Sequence, residues 1–392
     1  MFNIAKNFDK IVTMKQKLGI YVHIPFCEGK CDYCNFVSFK TDDETKERYV
    51  LALIKEMKLF APNIVDYEID TIFIGGGTPS CLRPKAIKNI LNYITNNFNV
   101  THDAEITIEA NPNSLTVDKL REYKLAGVNR LSIGLQAYND NLLELIGRLH
   151  TKSDFDTALY NAKTYGFENI NVDLLLGLPK QNLYDILYEL KHLVKCGVKH
   201  ISAYGLIVEE GTKLQQKLDK KEYTLPNEEK ALKMYNTVVN FLKKNGLNRY
   251  EVSNFAVNGY ESKHNLKYWT MQEYVGFGLA SHSFFNGKRW ENTAKLQEYF
   301  DLIENDTLPR KNVEEETMTD LKEEFIMTEI RKQSGIDLSK YIRFFGEDLL
   351  EVKHREIDSL KKLGLIEITP DNRLFATDRG FEVLNQIILE LI

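Results

Sequence analysis

Tyr21-Val22-His23-Ile24-Pro25-Phe26-Cys27-Glu28-Gly29-Lys30-Cys31-Asp32-Tyr33-Cys34 runs from a short β-rich segment straight into three of the chain's five cysteines. Chemistry placed where a buried strand ends is how parallel barrels carry their sites, so this stretch frames the reading of everything after it. The spacing is Cys27-x3-Cys31-x2-Cys34. Three clustered thiols suit a cubane of iron and sulfide. Four irons need four outer ligands, so three cysteines leave one iron open to bind a small molecule and pass it an electron. A structural zinc site is the alternative, with His23 near enough to be a fourth ligand. Against it, no second Cys-x2-Cys pair lies downstream. A disulfide fits worse, because the cysteine count is odd, the chain is large and no signal-peptide pattern precedes the cluster. Cys81 and Cys196 stand alone and read as small core residues.

Outward from this stretch, short β-rich runs alternate with amphipathic helical runs as far as residue 255. The pattern predicts strands over 19–24, 71–74, 105–109, 130–133, 171–175 and 200–206. It predicts helices over 44–60, 85–97, 117–125, 154–165 and 183–195. Repeated βα units imply a parallel sheet with helices packed against it. Runs such as Val172-Asp173-Leu174-Leu175-Leu176 are almost wholly apolar, as expected of a sheet covered on both faces. Six units fit a partial (β/α)6 barrel of the TIM type and also an open doubly wound sheet. The barrel is favoured by the position of polar elements. The cysteines follow the first strand and Gly75-Gly76-Gly77-Thr78-Pro79 follows the second; Glu109 ends the third, Gln136 follows the fourth and Asp173 sits in the fifth.

The 392 residues are 43% hydrophobic, enough to bury a large core in two or three domains. The net charge of -5 argues against a nucleic-acid partner, whose phosphates would need neutralising. No run approaches the roughly 20 apolar residues that span a bilayer. The expectation is a soluble cytoplasmic protein. Residues 1–17 read as an N-terminal extension and 18–255 as the partial barrel. Residues 256–315 read as an aromatic-rich linker region. Residues 316–392 read as a winged-helix-like domain of helices and a hairpin, whose acids outnumber its bases and so disfavour DNA.

Several residues invite chemistry, each beside a plainer reading. Gly75, Gly76 and Gly77 let backbone groups approach a ligand, or make a tight βα turn. The sequence lacks the Gly-Lys-Ser/Thr ending of a phosphate loop. Glu109 and Asp173 suit ribose hydroxyls, or form salt bridges within the fold. Gln136 can bond the same ligand through its amide. Arg148 can hold a carboxylate bidentately, or lie idle on the surface. His264, with Tyr268 and Trp269, can ligate heme iron under a packed macrocycle, or be a core histidine among aromatic rings. His282, beyond the glycine-rich turn 276–281, is a second candidate ligand or a site wall.

Taken together, these residues resemble the radical S-adenosylmethionine superfamily, whose cluster motif carries an aromatic residue, here Tyr33, before its last cysteine. The run from Tyr21 to Cys34 is similar to the branch that holds the oxygen-independent coproporphyrinogen III oxidases and the heme chaperones. The resemblance extends through Leu131-Ser132-Ile133-Gly134-Leu135-Gln136 and 173–179 to the C-terminal domain. Oxidases of the branch carry a fourth cysteine where this chain has Phe36. The chaperones carry His-Asn-x-x-Tyr-Trp, which His264–Trp269 matches. The resemblance therefore implies a heme chaperone with a [4Fe-4S] cluster on Cys27, Cys31 and Cys34. S-adenosylmethionine would lie against Tyr21, Gly76, Gly77, Thr78, Glu109, Gln136, Arg148 and Asp173, in the cradle that begins at Gly75. It also implies heme contacted by His264, an acceptor protein for that heme, and a homodimer as a candidate assembly. The alternative it leaves is the oxidase.

Overall fold

The computed structural model describes residues 16–392. The extension expected over 1–17 lies outside the described residues except for its last two, and Lys17 already begins the first strand. Six parallel strands form the centre: β1 (Lys17–Ile24), β2 (Glu68–Gly76), β3 (Val100–Ala110), β4 (Arg130–Gln136), β5 (Asn169–Leu176) and β6 (His200–Gly205). They pair in chain order. A helix lies between each successive pair, as the six predicted βα units require. β1 and β6 are not neighbours, so the barrel is partial and open.

Most of the barrel helices start where the sequence supplies a cap, Pro84–Asn97 being an exception with proline at its first position. Asp42 accepts from Thr45 N ahead of Asp43–Phe60. Asn182 and Asp185 form a capping box ahead of Leu183–Lys195, which buries Ile186, Leu190 and Leu193 against the sheet.

The strands are two-faced rather than apolar throughout. Along β1, Leu18, Ile20, Val22 and Ile24 are buried in the main core, while Tyr21 points the other way and lines a lumen cavity. β5 sends Ile170, Val172 and Leu174 to the core and Asn171 and Asp173 to the lumen. The period of two is therefore apolar outward and polar inward. The helices bury the outer face, which is where the apolar contribution to stability arises, and the polar inner face is left for a ligand.

The region 256–315, expected as a linker, is part of the same sheet. β9 (Tyr274–Phe277) pairs in parallel with β1, and β10 (His282–Phe285), β11 (Lys288–Asn292) and β12 (Arg310–Glu315) continue outward antiparallel. At the opposite edge, β8 (Asn254–Ala256) and β7 (Asn248–Arg249) cover β6. Phe277, Phe285, Trp290 and Tyr299 belong to the barrel core. These strands are short and aromatic, and no helical period betrays them in sequence.

Beyond Met318 a second core gathers Phe325, Ile330, Leu338, Tyr341, Ile366, Leu374 and Ile387 around a hairpin of Ile366–Ile368 and Arg373–Ala376. The expected order of three helices then a hairpin is present, followed by the helices Asp378–Glu382 and Leu384–Leu391. Arg249 ties this domain to the barrel edge. It bonds Asp378 at 2.7 Å and Gln333 at 2.9 Å and lies 3.6 Å from the Phe381 ring centre. Among the described residues no helix is long and apolar enough to cross a membrane.

Candidate functional site

The loop after β1 carries the three cysteines across the mouth of the barrel. Its base is pinned by Cys27 N–H to Phe39 O at 3.1 Å and Phe39 N–H to Pro25 O at 3.0 Å. Its tip is held by Asp32 N–H to Ile146 O at 3.0 Å, and the Asp32 carboxylate pairs with Lys217 at 2.6 Å. Gly147 is needed at that contact: its φ is 71° and a Cβ there would stand 2.7 Å from Asp32 Oδ1. Cys27, Cys31 and Cys34 are all free and half-buried.

The donor set fits an iron–sulfur cluster. Arg148 Nη1 lies 3.5 Å from Cys31 Sγ and Thr78 Oγ1 3.4 Å from Cys27 Sγ, so a cation and a hydroxyl face sulfurs that would carry negative charge. Burial pushes the Cys34 thiol up. The zinc alternative loses its fourth ligand. Both ring nitrogens of His23 are engaged, Nδ1 with Tyr21 OH at 3.0 Å and Nε2 with Val37 O at 3.3 Å. Among the described residues no three His, Cys, Asp or Glu side chains converge as a single ion requires. A cubane spreads its cysteines over different irons.

The glycine run seats β2 against this loop. Gly77 N–H donates to Ile24 O and Thr78 N–H to Phe26 O, both at 2.8 Å. A Cβ on Gly77 would sit 2.8 Å from Phe26 O and 3.1 Å from Cys27 Sγ. Gly76, at φ 113°, packs against the His23 ring and gives its N–H to Glu109 Oε2 at 3.1 Å. Two amides of the expected cradle, those of Gly76 and Gly77, are thus already spoken for.

Arg148 is no idle surface residue. Nη2 donates to Asn111 Oδ1 at 2.6 Å and to Gly134 O at 2.7 Å, and Asn111 in turn reaches Thr78 Oγ1 at 3.1 Å. Gln136 ends β4 with φ 69°, its amide beside Gly134 and the Arg148 guanidinium.

Below the mouth lies a cavity of about 210 Å³ inside the barrel, and Tyr21, Glu109 and Asp173 all line it. Burial and the neighbouring Asp173 push Glu109 up to about 8. Asp173 is also raised by burial, although Asn171 Nδ2 at 2.7 Å and Ser132 Oγ at 3.1 Å hold its oxygens. Neither acid has an ion-pair partner within 4 Å among the described residues, so the salt-bridge reading of both is not what the fold uses. Asn111, Arg130, Ser132, Asn171 and Tyr204 are site residues that the sequence reading missed. Asn111 follows the end of β3; for the others the signal was there as polar residues alternating with apolar ones along β4, β5 and β6.

His264 lies away from the mouth of the barrel. It sits on the helix Lys263–Trp269, which closes the barrel at the end opposite the cysteines. Ser262 caps that helix, and the Glu105 carboxylate accepts from Lys263 N and His264 N at 3.1 and 3.0 Å. The His264 ring is 1% exposed. Nδ1 bonds Thr71 Oγ1 at 2.9 Å, Nε2 bonds Tyr268 OH at 2.8 Å, and the ring stacks on Phe73 at 5.3 Å. Burial lowers its pKa to about 3. With both nitrogens occupied and the side chain enclosed, the described geometry is that of the core reading. His282 is exposed on β10, 3.7 Å from Glu291.

A cysteine triad over the mouth of a parallel half-barrel with a polar lumen is the architecture of a radical S-adenosylmethionine protein. The family model described as Radical SAM superfamily matches residues 21–193, and the HemN C-terminal domain model matches 317–383. Heme chaperone HemW of Bacillus subtilis (strain 168) is 35% identical over 94% of this chain and 97% of its own length. Heme chaperone HemW of Lactococcus lactis subsp. lactis (strain IL1403) is 32% identical over 94% and 95%. The chain therefore belongs to the HemW family of the radical S-adenosylmethionine superfamily. Among solved structures, the Escherichia coli coproporphyrinogen III oxidase HemN superposes with a TM-score of 0.84 over 96% of this chain and 90% of its own, at 21% identity. That likeness speaks for the fold.

Proposed function

We propose that this chain is a heme chaperone that binds heme, a [4Fe-4S] cluster and S-adenosylmethionine, and passes the heme to an acceptor protein. The observation that carries the reading is the end-to-end match to HemW, 97% of the Bacillus subtilis protein's length at 35% identity. In this reading Cys27, Cys31 and Cys34 would hold the cluster, whose open iron would be the place for S-adenosylmethionine. When bound, the cluster would supply one-electron chemistry to that ligand.

The surrounding residues would each do one task. Arg148, already aligned by Asn111 and Gly134, pairs with the ligand carboxylate. The backbone of Gly75, Gly76 and Gly77 takes the amine, and Thr78 closes over Cys27. Glu109 and Asp173 accept from ribose hydroxyls, with Gln136 and Tyr21 at the edges. The buried lumen keeps water from competing for those carboxylates. Heme is placed away from His264, and the acceptor, a homodimeric state and a cytoplasmic location complete the proposal.

The second reading is oxygen-independent coproporphyrinogen III oxidase, the other member of the branch that the Tyr21–Cys34 run resembles. One sample tests both. The protein is reconstituted anaerobically with iron and sulfide, then titrated with heme and assayed with coproporphyrinogen III and a reductant. Heme binding and transfer to an apo-hemoprotein without porphyrinogen turnover is the expected result. Formation of protoporphyrinogen would overturn the chaperone reading.

A further inference from the structure

Arg130, the first residue of β4, is 1% exposed and heads the fully buried large side chains of the protein. It points into the lumen and lines the same cavity as Glu109 and Asp173. Its Nε has no hydrogen-bond partner. Its register neighbours on either side are Thr107 on β3 and Asn169 on β5. Thr107 Oγ1 and Asn169 Oδ1 are likewise buried without partners. Three cross-strand neighbours therefore leave polar atoms unfilled at one level of the barrel. A guanidinium taken out of water is costly unless its charge is used, and no carboxylate lies within 4 Å of it among the described residues. The fold pays that cost for a charge held at a distance from two acids.

We propose that Arg130 is a positioning residue for ligand binding: its buried charge, aimed into the lumen, sets the ionisation of the Glu109–Asp173 pair that meets the ribose of S-adenosylmethionine. The inference rests on the cofactor reading above. Two carboxylates facing one cavity oppose each other's charge, and the Gly76 N–H and, to a smaller extent, Arg130 act in the other direction on Glu109. The other titratable groups facing the cavity are Tyr21 on β1, Tyr204 on β6 and Tyr268 on the closing helix. His200, Tyr250, Glu251 and His264 stand behind them. Burial holds those tyrosines protonated and both histidines neutral. Glu251 is raised to about 7 and is the one other acid that titrates nearby. A carboxylate accepts more strongly ionised than neutral. Affinity for the ligand should therefore rise with pH as the pair ionises, and Arg130 fixes where that rise falls.

The test compares Arg130→Gln and Arg130→Lys with wild type in two measurements. The first is the infrared carboxyl band of the cluster-free protein against pH, assigned to Glu109 with Glu109→Gln and separated from Glu251 with Glu251→Gln. The second is S-adenosylmethionine affinity of the reconstituted protein against pH by equilibrium dialysis. In Arg130→Gln the Glu109 titration and the rising limb of affinity both move to higher pH, with weaker binding on the limb. Arg130→Lys keeps both near wild type. Unchanged profiles in a folded Arg130→Gln protein overturn the proposal. So does an Arg130→Lys protein that shifts as far as a neutral substitution. If Arg130→Gln does not fold, Arg130→Lys decides, because a retained charge must retain the Glu109 titration. A wild-type protein that binds no S-adenosylmethionine at any pH sinks the cofactor reading instead, and the infrared titration still judges Arg130.

Discussion

Replacing His264 with alanine separates a structural histidine from a heme ligand. The structure gives the side chain three attachments: Thr71 Oγ1 at 2.9 Å, Tyr268 OH at 2.8 Å and the Phe73 ring at 5.3 Å. Each hydrogen bond contributes about 1 kcal/mol and the stacked ring about another 1, so His264→Ala should lose roughly 3 kcal/mol. Two hydroxyls stranded in a closed site push the figure upward rather than down. The pH dependence sharpens the test. With a folded pKa of about 3 against 6.5 unfolded, wild-type His264 stays neutral in the native state while the unfolded chain takes up a proton. Its contribution is whole above pH 6.5 and is lost as pH falls toward 3. The stability gap between wild type and His264→Ala therefore narrows in acid, and the difference cancels the similar behaviour of His23, His150 and His200. The assay is urea unfolding of cluster-free protein followed by circular dichroism, beside a heme titration of the folded variant. Heme affinity should not change. A variant as stable as wild type that binds heme about tenfold more weakly, a loss of about 1.4 kcal/mol, would refute the enclosure argument.

Other expectations concern the site and its supports. Cys31→Ala should lose bound iron after anaerobic reconstitution while His23→Ala keeps it, by metal analysis; iron lost from both would revive a histidine ligand. Gly77→Ala forces a Cβ to 2.8 Å from Phe26 O and 3.0 Å from Ile24 O, both backbone atoms, and to 3.1 Å from Cys27 Sγ. Such overpacking costs about 1–3 kcal/mol, so the variant should fold but take up less iron, read from the cluster's visible absorbance. Arg249→Ala removes the bonds to Asp378 and Gln333 and the stack on Phe381. Asp378 is largely exposed, so the ion pair contributes little. The buried guanidinium contacts contribute about 1–2 kcal/mol, and limited proteolysis should reach 316–392 faster with the barrel core intact.

The barrel was legible because each βα unit shows its period locally. Strands buried on their outer face, helices with a cap and an apolar stripe, and glycine or cysteine at the strand ends are patterns of a few neighbouring residues. The edge strands β9–β12 were not legible. Each is only four to six residues long, and each is a strand because a neighbour pairs with it. Tyr274–Phe277 owes its conformation to β1, more than 200 residues away in sequence.

The site divides along the same line. Cys27, Cys31, Cys34, Glu109, Arg148 and Asp173 could be chosen by residue type and strand end, and the fold sets them around one mouth and one cavity. Arg130 could not, because an arginine opening a strand looks like a solvated edge until the register sets it between Thr107 and Asn169. His264 shows the opposite difficulty. A histidine in an aromatic motif promises a ligand, yet Glu105, Thr71 and Tyr268 use its backbone and both its nitrogens to close the barrel floor. The motif His264–Trp269 is thus better understood as the plug of the barrel floor, which shields the lumen from water on that side. That shielding is what would let one guanidinium act on two carboxylates across the cavity, since the same charges with water between them would be screened to little effect.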